Sequence, residues 1–405
     1  MAGESSNRNF DTDVVVVGGC GHVGLPLAIA FADRGLRTVS YDINPAAVAL
    51  VNEGQLPFDE PDAGPVIRRV VDGAMFSAST DPGVISDAAH VVVVIGTPVD
   101  EHLNPDARAV PDAVAAVHQY LRPGQLLVLR STVYPGVTAL VERGLARAGL
   151  HGVDVAFCPE RIAEGKAMTE LFELPQIVSA RNDAAVARAD KLFRHLTAST
   201  VQVTPEEAEL AKLFTNTWRY IKFAASNQLF MMANDFGLDF ERIRHAITFD
   251  YPRAADMPGP GFAAGPCLFK DTMQLAAFND NKFVLGHSAM LVNEGLPLYV
   301  VSRMAQRFDL SSMTVGILGM AFKGESDDAR SSLSYKLKRI LRFRAANVLC
   351  ADPYVQTDEN LVDESELLER SDVVVIGAPH RRYRTLAASQ PVIDIWNITG
   401  NGVQV

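Results

Sequence analysis

Cysteine is scarce in this 405-residue chain: Cys20, Cys158, Cys267 and Cys350 are its only four. They lie far apart without a CxxC pair, and the sequence also has no HExxH motif. This spacing argues against a structural zinc site and against a disulfide framework. We therefore expect free thiols, no bound metal and a reducing, cytoplasmic compartment.

Positive charge is also in short supply. Lysine and arginine total 37 residues against 48 aspartates and glutamates, which leaves a formal net charge of −11. Such a chain carries no basic footprint for nucleic acid or for an anionic membrane, so neither is expected as a partner. With 48% hydrophobic and 21% charged residues, the composition is ordinary for a globular protein. The length allows two or three domains with full cores.

The sequence offers no uninterrupted hydrophobic run of membrane-spanning length. Residues 14–32 come nearest, but four glycines and Pro26 interrupt them, which favours a strand, a turn and a helix. The first ten residues, MAGESSNRNF, are polar and predict a mobile tail rather than a signal peptide. A soluble intracellular protein is expected.

Two regions of the chain alternate apolar strand patterns with helical stretches, which predicts doubly wound parallel sheets. The strand patterns of the first region are DVVVV (13–17), RTVSYD (37–42), HVVVVIGTP (90–98), QLLVLRSTV (125–133) and VDVAFCPE (153–160). Those of the second region are MTVGILGMAF (313–322), NVLCADP (347–353), SDVVVIGAP (371–379) and PVIDIW (391–396).

A long helical pattern separates these two regions. It begins at Pro205 and contains no further proline or glycine until Gly237. Helical segments continue to about residue 308, interrupted by the proline- and glycine-rich stretch 252–266. The predicted fold is α/β, with two Rossmann-like doubly wound parallel-sheet domains joined by a helical central domain. The predicted domains are 1–204 for the cofactor, 205–308 as the central domain, and 309–405.

A glycine-rich turn follows the first strand. Residues 19–24 read GCGHVG, a GxGxxG that opens an apolar helix, and Asp42 ends the next strand 18 residues after Gly24. This context is typical of dinucleotide binding, in which glycines admit the pyrophosphate and the acidic residue binds the adenine ribose. Because Asp42 would repel a 2′-phosphate, NAD is favoured over NADP; a turn that merely packs helix on strand is the alternative. The second region has Gly316 and Gly319 but no full fingerprint, so a different ligand is expected there.

A cysteine stands in the bend GFAAGPCLFKD, residues 261–271. Gly261, Gly265 and Pro266 argue against a regular element and predict a tight turn that exposes Cys267. The alternative is a thiol that simply packs near a loop.

Other polar groups stand where chemistry is possible. Lys212 and Asn216 are four residues apart and share a helix face, with Glu209 one turn earlier. An exposed Glu–Lys pair is the alternative interpretation of that face. PERIAEG (159–165) and STVYPG (131–136) follow strand ends, where ligand sites of such sheets cluster, although both could simply be loop caps.

Taken together, these segments resemble the UDP-glucose/GDP-mannose dehydrogenase family of NAD-dependent nucleotide-sugar 6-dehydrogenases. The resemblance runs from about residue 12 to 396. Its motifs, in order, are GCGHVGLPLA, STVYPG, CPERIAEG, EAELAKLFTNTWRYI, GFAAGPCLFKD, GMAFKGESDDARSS and ADPY.

The resemblance implies a reaction and its catalytic residues. Enzymes of the family oxidise the C6 alcohol of the sugar to a carboxylate, using two NAD and one active site. Cys267 would be the nucleophile that forms a thiohemiacetal and then a thioester. Lys212 and Asn216 would stabilise alkoxide and oxyanion charge, and Asp271 would position or activate the hydrolytic water. Glu160 and Thr132 match residues beside the reacting centre, with a water-linked acid/base role.

Domain roles, binding residues and an oligomer are implied as well. Residues 205–308 would carry catalytic residues and form a homodimer through the long helix, and 309–405 would be the nucleotide-sugar (UDP) binding domain. For the cofactor they are Gly19, Gly21, His22, Val23, Gly24, Asp42, Thr97, Thr132 and Arg330, the last reaching cofactor or substrate phosphate. For the substrate they are Glu160, Arg161, Lys212, Asn216, Gly261, Phe262, Ala263, Phe322, Lys323 and Arg253, the last across the dimer interface.

Some positions depart from the family pattern. Ala264 replaces a glycine of the cysteine bend, and Asn227-Gln228 stands where Asn-Glu is common. CPER is more similar to the N-acetylhexosamine branch, so the expected substrate is a UDP-N-acetylhexosamine or UDP-glucose, with a TDP- or GDP-hexose as the alternative. More distant alternatives are a two-electron β-hydroxyacid dehydrogenase, which needs no Cys267, and a non-catalytic nucleotide-sugar or NAD sensor.

Overall fold

A computed structural model describes residues 10–97, 106–403 and 405. Residues 1–9 of the predicted tail, and Pro98 at the end of the predicted strand 90–98, lie outside the described residues. The chain forms two compact units, Met1–Leu213 and Phe214–Val405. The predicted boundaries of three domains, at 204/205 and 308/309, remain predictions.

An eight-stranded sheet organises the described part of the first unit, in the order β3-β2-β1-β4-β5-β6-β7-β8. All neighbouring strands pair in parallel except β6 and β7, which are antiparallel. The strands are β1 (Thr12–Val17), β2 (Thr38–Tyr41), β3 (Phe76–Ser79), β4 (Ala88–Val93), β5 (Leu126–Leu129), β6 (Asp154–Phe157), β7 (Gln176–Ala180) and β8 (Thr200–Gln202).

Helices cover both faces of this sheet, which explains the run of four valines in β1. Alternate residues of a strand point to opposite faces. Val14 and Val16 therefore enter one apolar core, while Val15 and Val17 enter the other. The helices are α1 (Gly24–Asp33), α2 (Pro45–Asn52), α3 (Ala63–Asp72), α4 (Ala109–Ala116), α5 (Val137–Arg147), α6 (Ala167–Glu173) and α7 (Asp183–Phe193).

The predicted long helix is present as α8 (Pro205–Asp235), 31 residues that begin in the first unit and end in the second. Thr204 and Glu207 form a capping box, in which the Thr204 backbone N–H donates to the Glu207 carboxylate over 2.8 Å. Pro205 then occupies the first helical position, where no backbone donor is needed. Gly237, with a φ of +70°, follows the end of the helix.

The second unit carries the helical middle and a four-stranded parallel sheet, in the order β10-β9-β11-β12 among its described residues. Apolar clusters cover both faces of this sheet, one of them shared with α8 and α11. The elements are α9 (Phe240–Thr248), α10 (Leu268–Phe278), α11 (Val284–Arg307), β9 (Thr314–Leu318), α12 (Leu333–Leu341), β10 (Asn347–Ala351), α13 (Glu364–Arg370), β11 (Val373–Ile376) and β12 (Val392–Ile393).

The predicted fold class is confirmed: two α/β lobes with parallel sheets and a long central helix. Three strands of the first sheet were not predicted, because β3, β7 and β8 are short and hold few consecutive apolar residues. The antiparallel pairing of β7 also means that this sheet is not parallel throughout. Within the described residues, no helix is both long enough and apolar enough to cross a membrane.

Candidate active site

The glycine turn between β1 and α1 has the geometry of a phosphate cradle. A Cβ on Gly19 would lie 2.5 Å from Ser40 Oγ, and one on Gly24 would lie 2.3 Å from the Gly18 carbonyl oxygen. These two glycines are therefore required by packing. A Cβ on Gly21 would have no atom nearer than 3.9 Å, so this residue leaves open space for a ligand to approach the backbone.

Asp42 lies beside this turn, directly after β2. One carboxylate oxygen accepts a hydrogen bond from the Cys20 backbone N–H, and the other accepts one from the Asn44 N–H, both over 3.0 Å. The carboxylate is thus held next to the glycine turn, where an acidic residue of such a sheet binds ribose hydroxyls.

The remaining predicted cofactor residues of the first unit flank the same strand ends. The His22 ring packs on Phe58 with centroids 4.1 Å apart, and Val23 occupies the N-cap position of α1. Thr97 follows β4 and Thr132 follows β5. Because the strand order reverses between β1 and β4, the ends of these strands border the crevice in which dinucleotides bind.

Glu160, one of the predicted catalytic residues, accepts hydrogen bonds at both carboxylate oxygens. One of its carboxylate oxygens accepts from Arg130, including a 2.9 Å bond from Nε. The other accepts from the backbone N–H groups of Arg161 and Ile162, at 2.7 and 3.0 Å. Both oxygens therefore hold the loop after β6, and the water-linked acid/base role of Glu160 stays a prediction.

Arg130 is a residue that the sequence-based analysis missed. Arg130 is 2% exposed, and its guanidinium donates to Gln176 over 2.9 Å and lies 4.8 Å from the centroid of the Phe193 ring. The available signal was an arginine at the end of the apolar run QLLVLR, because a buried charge requires partners. Arg130 joins the ends of β5 and β6, which precede the predicted Thr132 and Arg161.

Glu209 does not form the exposed pair that one interpretation assigned to it. It is 1% exposed, and its carboxylate accepts from the backbone N–H groups of Gly136 and Thr138, at 2.6 and 2.8 Å. It therefore caps the N-terminus of α5, and the interpretation as an exposed Glu–Lys pair is wrong. Lys212, on the same helix, is buried, as is Asn216 one turn later.

The thiol of Cys267 differs from the other three cysteines. Cys267 is exposed at the N-cap position of α10, whereas the other three are buried. Burial is the main cause that raises the pKa of Cys20 and of Cys158 to about 12, and that of Cys350 to about 11. Of the four thiols, Cys267 is therefore the one suited to react with a ligand.

Asp271, one turn after Cys267, is hydrogen-bonded to Asn216 on α8. The Asp271 side chain has no exposed surface, and one of its oxygens accepts from Asn216 Nδ2 over 2.6 Å. Its other oxygen lies 3.0 Å from Lys270 Nζ. The Asp271 backbone N–H donates to the Cys267 carbonyl over 2.8 Å, so helix α10 carries both predicted catalytic residues.

The cysteine bend packs against aromatic side chains of the C-terminal lobe. Gly261, at φ +149°, would place a Cβ 2.2 Å from ring atoms of Trp396. Gly265, at φ +100°, would place one 2.5 Å from the ring of Phe322. Only glycine fits at these two contacts. Ala264 is half-buried against the apolar core of this unit, so its methyl group is accommodated by packing.

The remaining predicted substrate residues of the second unit are spread over several loops. Phe262 is buried, and its ring meets Trp396 edge to face at 6.2 Å. Lys323 Nζ lies 5.4 Å from the centroid of the Phe322 ring. The Arg330 guanidinium is paired with Asp328 over 2.6 Å, and Arg253 is exposed beside Tyr251. The Ala263 side chain is buried, so only the backbone of this residue could contact a substrate.

Asp42 yields a direct test of cofactor choice. Because its carboxylate stands where the adenine ribose should bind, we expect NAD to bind at least about tenfold more tightly than NADP, or about 1.4 kcal/mol. Titration calorimetry of both cofactors measures this ratio. Asp42→Ala should bring the two dissociation constants closer together. Equal affinities in the unaltered protein would contradict the assigned role of Asp42.

Comparison with known proteins supports this assignment of the glycine turn. The UDP-glucose/GDP-mannose dehydrogenase family matches the chain in three parts: its NAD binding domain at residues 13–197, its central domain at 206–294 and its UDP binding domain at 316–401. A UDP-N-acetyl-D-mannosamine dehydrogenase of Yersinia pestis is 29% identical, over 98% of this chain and 99% of that protein.

Two solved structures are similar over nearly the whole chain. A UDP-glucose dehydrogenase of Pyrobaculum islandicum is 27% identical, with a TM-score of 0.89 over 97% of this chain and 96% of that one. The UDP-D-ManNAc dehydrogenase of Pyrococcus horikoshii is 25% identical, with a TM-score of 0.88 over 95% and 96%. The chain therefore belongs to the UDP-glucose/GDP-mannose dehydrogenase family and is an NAD-dependent nucleotide-sugar dehydrogenase.

Proposed function

We propose that the protein oxidises C6 of a UDP-hexose from the alcohol to the carboxylate, with Cys267 as the covalent nucleophile. The observation that carries this proposal is an exposed thiol at the start of α10, one turn before a buried Asp271 that is bonded to Asn216. A two-electron dehydrogenase would need no such thiol. The scarcity of cysteine also suits a reducing cytoplasm.

The substrate we propose is a UDP-N-acetylhexosamine or UDP-glucose. Similar proteins are named for UDP-N-acetyl-D-mannosamine and for UDP-glucose, and residues 316–401 match a UDP binding domain. A TDP- or GDP-hexose remains the alternative, because the base and the sugar are read by loops rather than by the motifs described above.

In the first oxidation, the C6 hydroxyl loses a proton and the C6 carbon loses a hydride, which leaves an aldehyde. NAD, when bound, is the hydride acceptor in each of the two oxidations. Lys212 and Asn216 would stabilise the alkoxide that develops at the C6 oxygen. A charged or amide donor aimed at developing charge is among the largest contributions to catalysis, and losing one such donor typically lowers kcat by about 10²–10³.

The second oxidation needs the thiol, because an aldehyde has no hydride to give until a nucleophile adds. The Cys267 thiolate would add to the carbonyl carbon, and the resulting oxyanion would be stabilised by Lys212 and Asn216. Loss of a second hydride from this thiohemiacetal leaves a thioester on the Cys267 sulfur. Water then cleaves the thioester to release the carboxylate and regenerate the thiol.

Asp271 has two proposed tasks in this sequence. Its hydrogen bond to Asn216 fixes the orientation of that amide, and its carboxylate would position or activate the water that attacks the thioester. The loops after β5 and β6, which hold Thr132, Glu160 and Arg161, would contribute to the substrate site. Glu160 would act there as the anchor of its loop.

Binding of the nucleotide sugar would draw on the second unit. Gly261, Phe262, Phe322 and Lys323 are proposed for the substrate, since the two glycine–aromatic contacts fix this part of the unit. Arg330 would exchange its pairing with Asp328 for a phosphate of cofactor or substrate. Arg253, exposed after α9, would reach the substrate of a second copy.

The stoichiometry of the reaction tests this function. With NAD and a panel of UDP-N-acetylhexosamines and UDP-glucose, we expect two NADH per sugar consumed and no appreciable free aldehyde. Absorbance of NADH and product analysis measure both quantities. A ratio of one with aldehyde as the end product, or inactivity with every UDP-sugar, would contradict the proposal.

The variant Cys267→Ser tests the covalent step. A serine hydroxyl is a far weaker nucleophile at neutral pH, so the second oxidation, and with it formation of the carboxylate, should be lost. The variant should still bind NAD, since the substitution leaves the glycine turn between β1 and α1 unchanged. Near-normal NADH production by this folded variant would show that Cys267 is only a packing thiol.

We also propose a homodimer formed through α8. Four large apolar side chains share one face of this helix and are exposed: Phe214, Trp218, Leu229 and Met232. Phe236, just after the last residue of the helix, is exposed as well. Of these, Phe236 is 80% exposed and Trp218 is 58% exposed. An apolar stripe of this length is typical of a protein–protein interface.

Disrupting that stripe should release monomers. We expect the unaltered protein to have twice the 43.9 kDa mass of one chain in light scattering, and Trp218→Glu combined with Phe236→Asp to have the mass of one chain. Phe343→Asp is the control, because Phe343 is 89% exposed but lies just beyond α12. A monomeric unaltered protein, or loss of the dimer in the control, would argue against this interface.

A further inference from the structure

Two asparagines without any exposed surface face each other in the second unit. Asn227 lies on α8, and Asn293 lies on α11. Burying a primary amide costs free energy unless its donors and acceptor find partners. Such a pair in an apolar surrounding therefore implies a specific set of hydrogen bonds.

Two hydrogen bonds of Asn227 join it to Gly261 in the cysteine bend. Its Oδ1 accepts from the Gly261 backbone N–H over 2.9 Å, and its Nδ2 donates to the Gly261 carbonyl over 3.0 Å. One side chain thus holds both backbone polar groups of the residue that opens the bend.

Asn293 fixes which way the Asn227 amide points. Asn293 Oδ1 accepts from Asn227 Nδ2 over 2.9 Å, and Asn293 Nδ2 donates to the Tyr220 carbonyl over 3.1 Å. Because Asn293 presents a carbonyl oxygen, the NH₂ group of Asn227 must face it. The chain of bonds runs from the α8 backbone through both asparagines to Gly261.

Neighbouring contacts restrain the same stretch of chain. Ser226, next to Asn227 on α8, donates through Oγ to the Pro258 carbonyl over 2.7 Å. Gly261 itself lies against Trp396, where a Cβ would not fit. Gln228, one of the positions at which the sequence departs from the family pattern, is exposed and takes no part in this restraint.

We infer that Asn227 is a positioning residue for the Cys267 nucleophile and that Asn293 sets its orientation. The inference rests on the proposed covalent function. Gly261 is six residues before Cys267, and the bend between them is held at its start by Asn227 and at its end by α10. We call the hydrogen bonds that join Asn293, Asn227 and Gly261 the clamp. Without it, the thiol would be misaligned when it has to add to the aldehyde.

Loss of alignment has a specific signature. The first oxidation does not use the thiol, so it should persist. Thiohemiacetal formation should slow by about 10²-fold, the effect of roughly 1 Å of misplacement in a reacting group. Aldehyde would then escape before it is captured, and the NADH formed per sugar should fall from two toward one.

The experiment compares Asn227→Ala with the matched control Asn234→Ala. Asn234 lies two turns later on α8 and makes two side-chain hydrogen bonds away from the cysteine bend: it donates to Tyr299 and accepts from the Val405 backbone N–H, both at 2.9 Å. NADH per sugar and aldehyde trapped by hydroxylamine are measured for both. The first variant should release aldehyde, whereas the control should keep a ratio of two even if its melting temperature falls.

Asn293→Leu keeps the test valid should Asn227→Ala not fold. It leaves Asn227 in place without the acceptor that orients it, so a smaller release of aldehyde is expected. Iodoacetamide labelling of Cys267, followed by intact-protein mass spectrometry, should proceed within about twofold of the unaltered rate if the thiol is still presented by a folded protein.

Two outcomes would overturn the inference: a ratio of two without aldehyde in the folded clamp variants, or equal aldehyde release from Asn234→Ala. Both differ from failure of the proposed function, in which Cys267→Ser itself would keep normal NADH production. If Cys267 proves essential but Asn227→Ala and Asn293→Leu release no aldehyde, only the positioning role of Asn227 is refuted.

Discussion

The carboxylate of Asp271 is shielded from water, and this buried charge determines how the helices of the candidate site pack. A buried carboxylate is costly unless it is paired and hydrogen-bonded. Here Asn216 on α8 donates to it, and Lys270 lies within ion-pair distance. The bond from Asn216 ties α10 to α8, one turn after Cys267 at the exposed start of α10.

The cysteine bend is held from the opposite side by shape rather than by charge. Gly261 and Gly265 meet the rings of Trp396 and Phe322, and neither position has room for a side chain. The same lobe matches a UDP binding domain. The thiol is therefore presented by a loop that is packed on the nucleotide-binding lobe, which would link substrate binding to the geometry of the nucleophile.

Much of the fold could be predicted from the sequence, because the signals are local. Four valines buried on both faces of β1, the GxGxxG that opens α1, and the uninterrupted helical pattern of α8 each depend on residues close in sequence. The antiparallel β7 could not be predicted, since its direction is set by pairing with β6. The partners of Glu209 and Glu160 could not be predicted either, because they are distant in sequence. Gly136 is 73 residues from Glu209, and Arg130 is 30 residues from Glu160. A carboxylate can be identified as a candidate from its motif, but whether it is available for proton transfer depends on donors that only the folded chain brings near.

The central claim is that an acyl group passes through the Cys267 sulfur, and rapid-quench mass spectrometry of the intact Asp271→Asn variant tests it most directly. With the group proposed for hydrolysis neutralised, the thioester should accumulate during turnover with NAD and a UDP-sugar substrate. The account predicts a mass increase equal to the nucleotide-sugar acyl group, located on Cys267 by peptide mapping and removed by hydroxylamine. A variant that still oxidises the alcohol and forms the carboxylate more slowly, but never shows this adduct, would contradict the covalent mechanism.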